Sequence, residues 1–463
     1  MKRKGFDMGE DRKEAQFRKM TGEKIPGLIL SLAVPTIISM IVTAIYNTAD
    51  TYFVSKLGTS ASGAVGIVMS LMGLIQSLGF MIGMGSGSWM SRLLGEKKDE
   101  TASKVAASGF YFSLVLGLLV AVMGCCFLDP LVGLLGATET IRPYAREYAQ
   151  YILYASPFLI ASFTMNKMLC AEGKARFAMI GIASGGVLNM FLDPIFIFGL
   201  KLGIAGAAIA TGLSQIVGFC ILLYMFVSGR TIADLRWKNA SRHIGMYVRI
   251  IGSGLPSFFR QGLASVATIA LNWMAAGYGD AAVSAMAIVS KVFMLIFSVL
   301  IGFGQGYQPV AGYNYGAKRY DRVREAFLFM SVSATVFMAI CAVPGYLAAP
   351  HLIRLFIGND ADVVRIGTQA LRFQCLTMAL LPLNICCNMT FQTIGRTGLA
   401  TFLSTARQGY VFFPVIFLLP RVLGLTGVEA AQPIADAVAF LICIPYTVGF
   451  LRELREANSV MSK

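Results

Sequence analysis

About twelve runs of roughly 20 or more apolar residues follow one another along the chain, and they constrain the fold more than any motif does. A hydrocarbon core about 30 Å thick takes about 20 apolar residues per helical crossing. Water is absent there, so each crossing must close its own backbone hydrogen bonds as a helix. The runs read as spans at 28–54, 61–86, 105–127, 144–170, 176–199, 205–227, 248–275, 282–306, 326–347, 366–392, 398–420 and 430–452. Composition agrees, since 56% of residues are hydrophobic and 14% charged, against about 25% charged in soluble domains. The expected fold is all-α integral membrane, with twelve transmembrane helices.

The net charge of +15 is distributed by side. Eight Lys and Arg lie in the N-terminal tail, and most others outside the spans lie in the segments near 87–104, 171–175, 228–247, 307–325, 393–397 and the C-terminus. The alternate loops hold only Lys56, Arg142, Lys201, Arg354, Arg365 and Arg421. By the positive-inside rule both termini are cytoplasmic and the number of spans is even. The basic balance is thus a topology signal, and no nucleic-acid partner is expected. The tail is too charged and too long for a secretory signal, so no cleaved targeting segment is expected. The nine cysteines have no CxxC or metal spacing and read as small buried hydrophobes.

The chain repeats itself at an offset of 221 residues. Pro35 meets Pro256, Gly58 meets Gly279, Gly83 and Gly85 meet Gly304 and Gly306, Gly95 meets Gly316, and Gly203 and Gly206 meet Gly424 and Gly427. Two six-helix repeats of even span number run parallel, about an axis along the membrane normal, which is a pattern of rocking transporters. The expected organisation is a basic tail (1–24), a first lobe (25–228), a cytoplasmic linker (229–247), a second lobe (248–455) and a short tail (456–463).

Charges inside spans are costly, about 2.5 to 3.5 kcal/mol for an aspartate at a helix centre, and mark function. Asp50 lies about four residues from the outer end of span one, Asp193 about six from that of span five, and Thr211 about six after the outer start of span six. Asn189 lies one turn from Asp193 on the same helix face. Four oxygen-bearing side chains therefore share one depth. Two close carboxylates cannot both stay charged cheaply, so such a site suits a proton or a sodium ion at Asp50 and Asp193. Pro194 frees the carbonyl of Met190 and bends its helix. The structural alternative is that Asp50 caps a helix end and Asp193 pairs with a buried base. The second lobe carries Arg260, Lys291 and Arg407 near mid-depth with Asp436 as the clear acid. They line the substrate cavity on one reading and pair with each other or with carbonyls on the other. Lys167, close to the inner end of span four, is expected to snorkel to the headgroups, as is Arg372 at the outer end of span ten.

No catalytic constellation emerges. The two histidines, His243 and His351, lie in a loop and at a turn, and there is no GxxxxGK[ST] phosphate loop. "GFMIGMGSG" and "GFGQG" read as close helix packing, and "YNYGAKRY" at 313–320 as a loop end making basic headgroup contact. The chain is not expected to be an enzyme, no cofactor or metal site is expected, and energy would come from an ion gradient.

"LAVPTIISMIVTAIYNTADTYFVSKLG", "GFGQGYQPVAGYNYGAKRYDRVREA" and "NMFLDPIFIFG", set on two six-helix halves, resemble the multidrug and toxic compound extrusion (MATE) family over about residues 24–455. The resemblance is to the DinF/MepA-like branch, which places ion-coupling roles on Asp50, Asn189, Asp193 and Thr211. The glutamate of span seven and aspartate of span ten in NorM-like members are absent here. The resemblance implies a monomer in the bacterial inner membrane that exports amphipathic, cationic small molecules in exchange for protons or sodium. The competing reading is a flippase-like transporter of a lipid-linked or anionic substrate, which the basic second lobe would suit.

Overall fold

A computed structural model describes residues 2–357 and 360–461. Among the described residues all regular structure is helical. The long helices are α1 (Lys2–Gly22), α2 (Ile25–Ser55), α3 (Thr59–Gly95) and α4 (Asp99–Cys126), then, after the short α5 (Leu128–Leu134), α6 (Arg142–Ala171), α7 (Ala175–Pro194) and α8 (Gly203–Val227). The second half repeats the order with α9 (Ile244–Ala276), α10 (Asp280–Gly316), α11 (Tyr320–Leu347), the short α12 (Ala349–Ile357), α13 (Ala361–Thr377), α14 (Leu381–Ile394), α15 (Thr397–Thr405), α16 (Phe412–Leu423) and α17 (Leu425–Met461). Ten helical stretches are long and apolar enough to cross a membrane. Helices α6 and α9 have the length but carry too much polar sequence to be among them.

Breaks in the helices follow local chemistry. Pro194 cannot donate to the helical ladder, and after it the chain widens into a π turn over Ile195–Gly199. In the second half, α15 and α16 are joined by a π turn over Ala406–Tyr410, where Gly409 takes φ −122° and ψ −110°; it lies ten residues before the repeat counterpart of the first π turn. Pro382 likewise opens α14 after a single 3₁₀ turn.

The two halves meet chiefly through α2 and α3 of the first and α9 and α10 of the second. Here the repeat acts as a symmetry. A Cβ on Gly95 would collide with the Tyr313 carbonyl, and one on Gly316 with the Arg92 carbonyl. Tyr313 and Gly316 are themselves 221 residues beyond Arg92 and Gly95. Higher up, Gly85 abuts the Ile250 carbonyl and Gly254 the Met81 carbonyl. Such contacts replace side-chain packing with close backbone approach, as expected for the two Gly-rich strings. They also correct an expectation: residues 87–95 and 307–316 are helix, not loop, so α3 and α10 each run about ten residues past their apolar spans and leave three-residue turns.

Those turns, α1 and the 228–243 segment gather at one end of the molecule, the basic face. Helix α1 touches both halves there. Gln16 Nε2 donates to the Glu172 carbonyl (2.8 Å), while Asn314 Nδ2 and Arg319 Nη1 donate to the carbonyls of Met20 and Thr21 (both 3.0 Å). The buried Glu172 carboxylate pins the linker by accepting from the backbone N–H of Ile232 (2.9 Å) and Ala233 (2.7 Å). Of the nine cysteines, all free, Cys126 and Cys220 are exposed, which corrects their reading as buried hydrophobes.

Candidate functional site

In the first half, α2, α7 and α8 pack face to face, and Gly186 on α7 leaves the space into which Tyr46 of α2 fits. This packing turns the polar positions of three helices toward one point. Asp50, Asn189, Asp193 and Thr211 are all buried, with Asp193 fully so. Asn189 Nδ2 donates to Asp193 Oδ1 (3.0 Å) and to Thr211 Oγ1 (3.2 Å). Asp50 lies within electrostatic range of Asp193.

Sequence reasoning missed a fifth member. Tyr148 of α6 is fully buried and donates its hydroxyl to Asp50 Oδ2 at 3.0 Å. A tyrosine in a membrane helix has no signal that separates it from the chain's other 16 tyrosines. The depth count used for Asp50 would have placed it only if applied to hydroxyls as well.

Three oxygens in this cluster have no hydrogen-bond partner: Asp50 Oδ1, Asn189 Oδ1 and Asp193 Oδ2. Buried polar atoms are nearly always paired, so three acceptors left open in one cluster are an exception, and oxygens of this kind suit a proton or a small cation chemically. No basic side chain among the described residues pairs with either carboxylate. Asp193 therefore does not hold a buried base, and Asp50 is no exposed cap.

The second half is organised differently. Arg407 Nε and Asp436 Oδ1 form an ion pair at 2.7 Å, almost wholly buried. Gln374 and Gln432 donate to the same carboxylate at 3.0 and 2.8 Å, and the guanidinium lies 4.7 Å from the Phe297 ring centre. Gln432 stands 221 residues beyond Thr211, while Arg407 and Asp436 stand 221 residues beyond Gly186 and Gln215, about one helical turn from Asn189 and Thr211. Arg260 donates to Asn388 Oδ1 (2.6 Å) and Ser257 Oγ (3.3 Å) and meets no acid, and Lys291 is exposed. Lys167 corrects its expectation. It does not snorkel: it is buried, donates to Gln305 Oε1 of α10 at 2.7 Å, lies 4.8 Å from the Phe80 ring centre and feels the charge of Arg260. Arg372 stays half-exposed against Tyr346 at the end away from the basic face.

A family model described as MatE matches this chain twice, at residues 35–195 and 256–418, with the two matches starting at the repeat-related Pro35 and Pro256. The chain belongs to the MATE family. These are membrane transporters, and the chain is not an enzyme. Among relatives of MATE type it is 29% identical to the multidrug export protein MepA of Staphylococcus haemolyticus, over 89% of this chain and 91% of that protein. It is 26% identical to MepA of Staphylococcus aureus over the same shares. Among solved structures it matches a MATE in complex with MaL6 at TM-score 0.90 and 27% identity, covering 95% of this chain and 99% of that one. It also matches a transporter from Pyrococcus furiosus described as having a binding pocket of reverse polarity that suggests a different function, at TM-score 0.89, 28% identity, and coverages of 95% and 98%.

Proposed function

We propose that this protein is a multidrug exporter, a secondary antiporter with twelve crossings in two lobes, which moves amphipathic cations outward in exchange for protons or sodium entering at Asp50 and Asp193. The observation that carries the coupling site is the set of three unpartnered buried oxygens on Asp50, Asn189 and Asp193. The names of the MepA relatives support the substrate class. With the basic face cytoplasmic, the close approaches of Gly85, Gly95, Gly254 and Gly316 to the facing backbone lie in its inner part, which supports an outward-open state.

Coupling needs only that the two states of the site differ in how they hold substrate. An arriving proton or sodium ion would take the open acceptors, and the pair of carboxylates would no longer repel. Helix α7 can respond because Pro194 has already removed one rung of its ladder. The deciding experiment measures dye efflux from proteoliposomes with proton and sodium gradients imposed separately. Substrate affinity should also depend on pH or on sodium in the wild type and lose that dependence in Asp193→Asn. Affinity flat from about pH 5 to pH 9 in both salts, measured through the usual titration range of paired carboxylates, would overturn the assignment.

A second reading has its own support. Lys167 and Arg260, from different halves, lie within electrostatic range and meet only neutral partners, Gln305 and Asn388. Together with the exposed Lys291 they would suit an anionic or lipid-linked substrate. Competition of dye efflux by anionic amphiphiles separates the two readings.

A further inference from the structure

At the basic face, where the ends of α3 and α10 meet, lies a cavity of about 820 Å³ that the transport reading does not use. Six basic side chains line it, Arg92, Lys97, Lys98, Arg249, Lys318 and Arg319, against one acid, Glu96. We propose that this cavity binds a phosphate-bearing anion held between the two halves by Arg92 and Arg249.

The charges are not balanced from within. Glu96 is taken by Lys98 at 2.7 Å, and Lys97 reaches the half-exposed Glu14 only at 3.9 Å. Arg92 comes from α3 and Arg249 from α9, and Arg92 lies within range of the Arg249 charge. Neither has a hydrogen bond or an ion pair among the described residues. Arg249 instead rests its guanidinium 4.2 Å from the Trp89 ring centre, and both residues line the cavity. Two like charges brought together from opposite halves repel unless an anion lies between them. Guanidinium forks match phosphate oxygens two at a time.

The backbone is arranged to the same end. The turns after α3 and α10 are copies, with Lys97 and Lys318 standing 221 residues apart. Both lysines hold the left-handed conformation, at φ 59° and 58°, at a helix end where glycine would be less strained. The repeat therefore keeps an ammonium group at both lips of the cavity. Gly395, at φ +91°, leaves room for the Arg92 guanidinium, since a Cβ there would coincide with it. Phe17 of α1 roofs the cavity, with the Lys97 ammonium 4.6 Å from its ring centre. Because the lining comes from both halves, an anion bound here favours the conformation in which they touch at this face.

Phosphate of this kind reaches a basic face either as a free ion or as the headgroup of an anionic lipid. The test uses the full chain purified in detergent and measures binding of inorganic pyrophosphate by calorimetry and of phosphatidylglycerol against phosphatidylcholine by native mass spectrometry. One of the two anions should bind the wild type, and Arg249→Gln should weaken it at least tenfold while Lys201→Gln, far from the cavity, changes nothing. Loss in the pyrophosphate arm identifies a free phosphate, and loss in the phosphatidylglycerol arm alone identifies the lipid. If Arg249→Gln does not fold, as judged by its melting without ligand, the exposed Lys318→Gln carries the test with a smaller loss. The proposal is overturned if neither anion binds the wild type above the phosphatidylcholine background, or if the variants bind as the wild type does. Neither readout involves export, so this result stands apart from the fate of the antiporter reading.

Discussion

The two halves share a fold and 221-residue register, yet within about one helical turn of repeat-related positions they bury polar groups in opposite ways. In the second half, Asp436 is closed on all sides by Arg407, Gln374 and Gln432. In the first, Asp50 and Asp193 receive one neutral donor each and keep open oxygens. In the second half both carboxylate oxygens are answered, one of them by an arginine, whereas the first-half carboxylates face only a hydroxyl or an amide and each keep one oxygen unpaired. The duplication thus provided two neighbouring places for buried acids, one closed by an arginine and the other left without a base.

The comparison breaks if the first-half acids prove structural. Asp50→Asn should reduce export of a cationic dye to background at matched membrane expression, because the amide has the same volume but cannot cycle a charge. Wild-type rates would end the assignment. Stability should show the reverse asymmetry. Removing one partner of a buried pair leaves an uncompensated charge and costs about 3 to 5 kcal/mol, so Arg407→Leu should lower the melting temperature far more than Asp193→Asn does, and Arg407→Leu with Asp436→Leu should recover most of the loss. Equal melting losses in the two halves would erase the distinction.

Two smaller effects sharpen it. Tyr148→Phe removes the single donor to Asp50, and since a hydrogen bond to a charged group is worth about 1.5 to 3 kcal/mol, export should fall roughly tenfold without reaching background. Lys291→Ala should leave melting unchanged, as the side chain is exposed, while altering the ranking of efflux rates among several drugs. An unchanged ranking would remove Lys291 from the cavity.

Hydropathy, the 221-residue repeat and the depth of Asp50, Asn189, Asp193 and Thr211 were all legible before any coordinates, because each is a property of position along a helix. Depth follows from counting residues at about 1.5 Å each. Rotation about the helix axis does not, and that is where the reading failed. Lys167 sits near the end of α6, which suggested a side chain reaching the headgroups, but α6 packs against α3, α4 and α8 and turns this lysine inward to Gln305.

What the sequence by itself determined is therefore the membrane setting, the duplication and the height of the acids, since these rest on solvation and on the regular rise of a helix. Tertiary structure alone decided which polar groups meet. It brought Arg407 to Asp436 and left Asp50 and Asp193 without a base, and it drew Arg92 and Arg249 together from opposite halves. The physical reason is that partner choice depends on how helices far apart in the chain are turned and pressed together, and in this molecule glycine contacts set those approaches at distances no local pattern encodes.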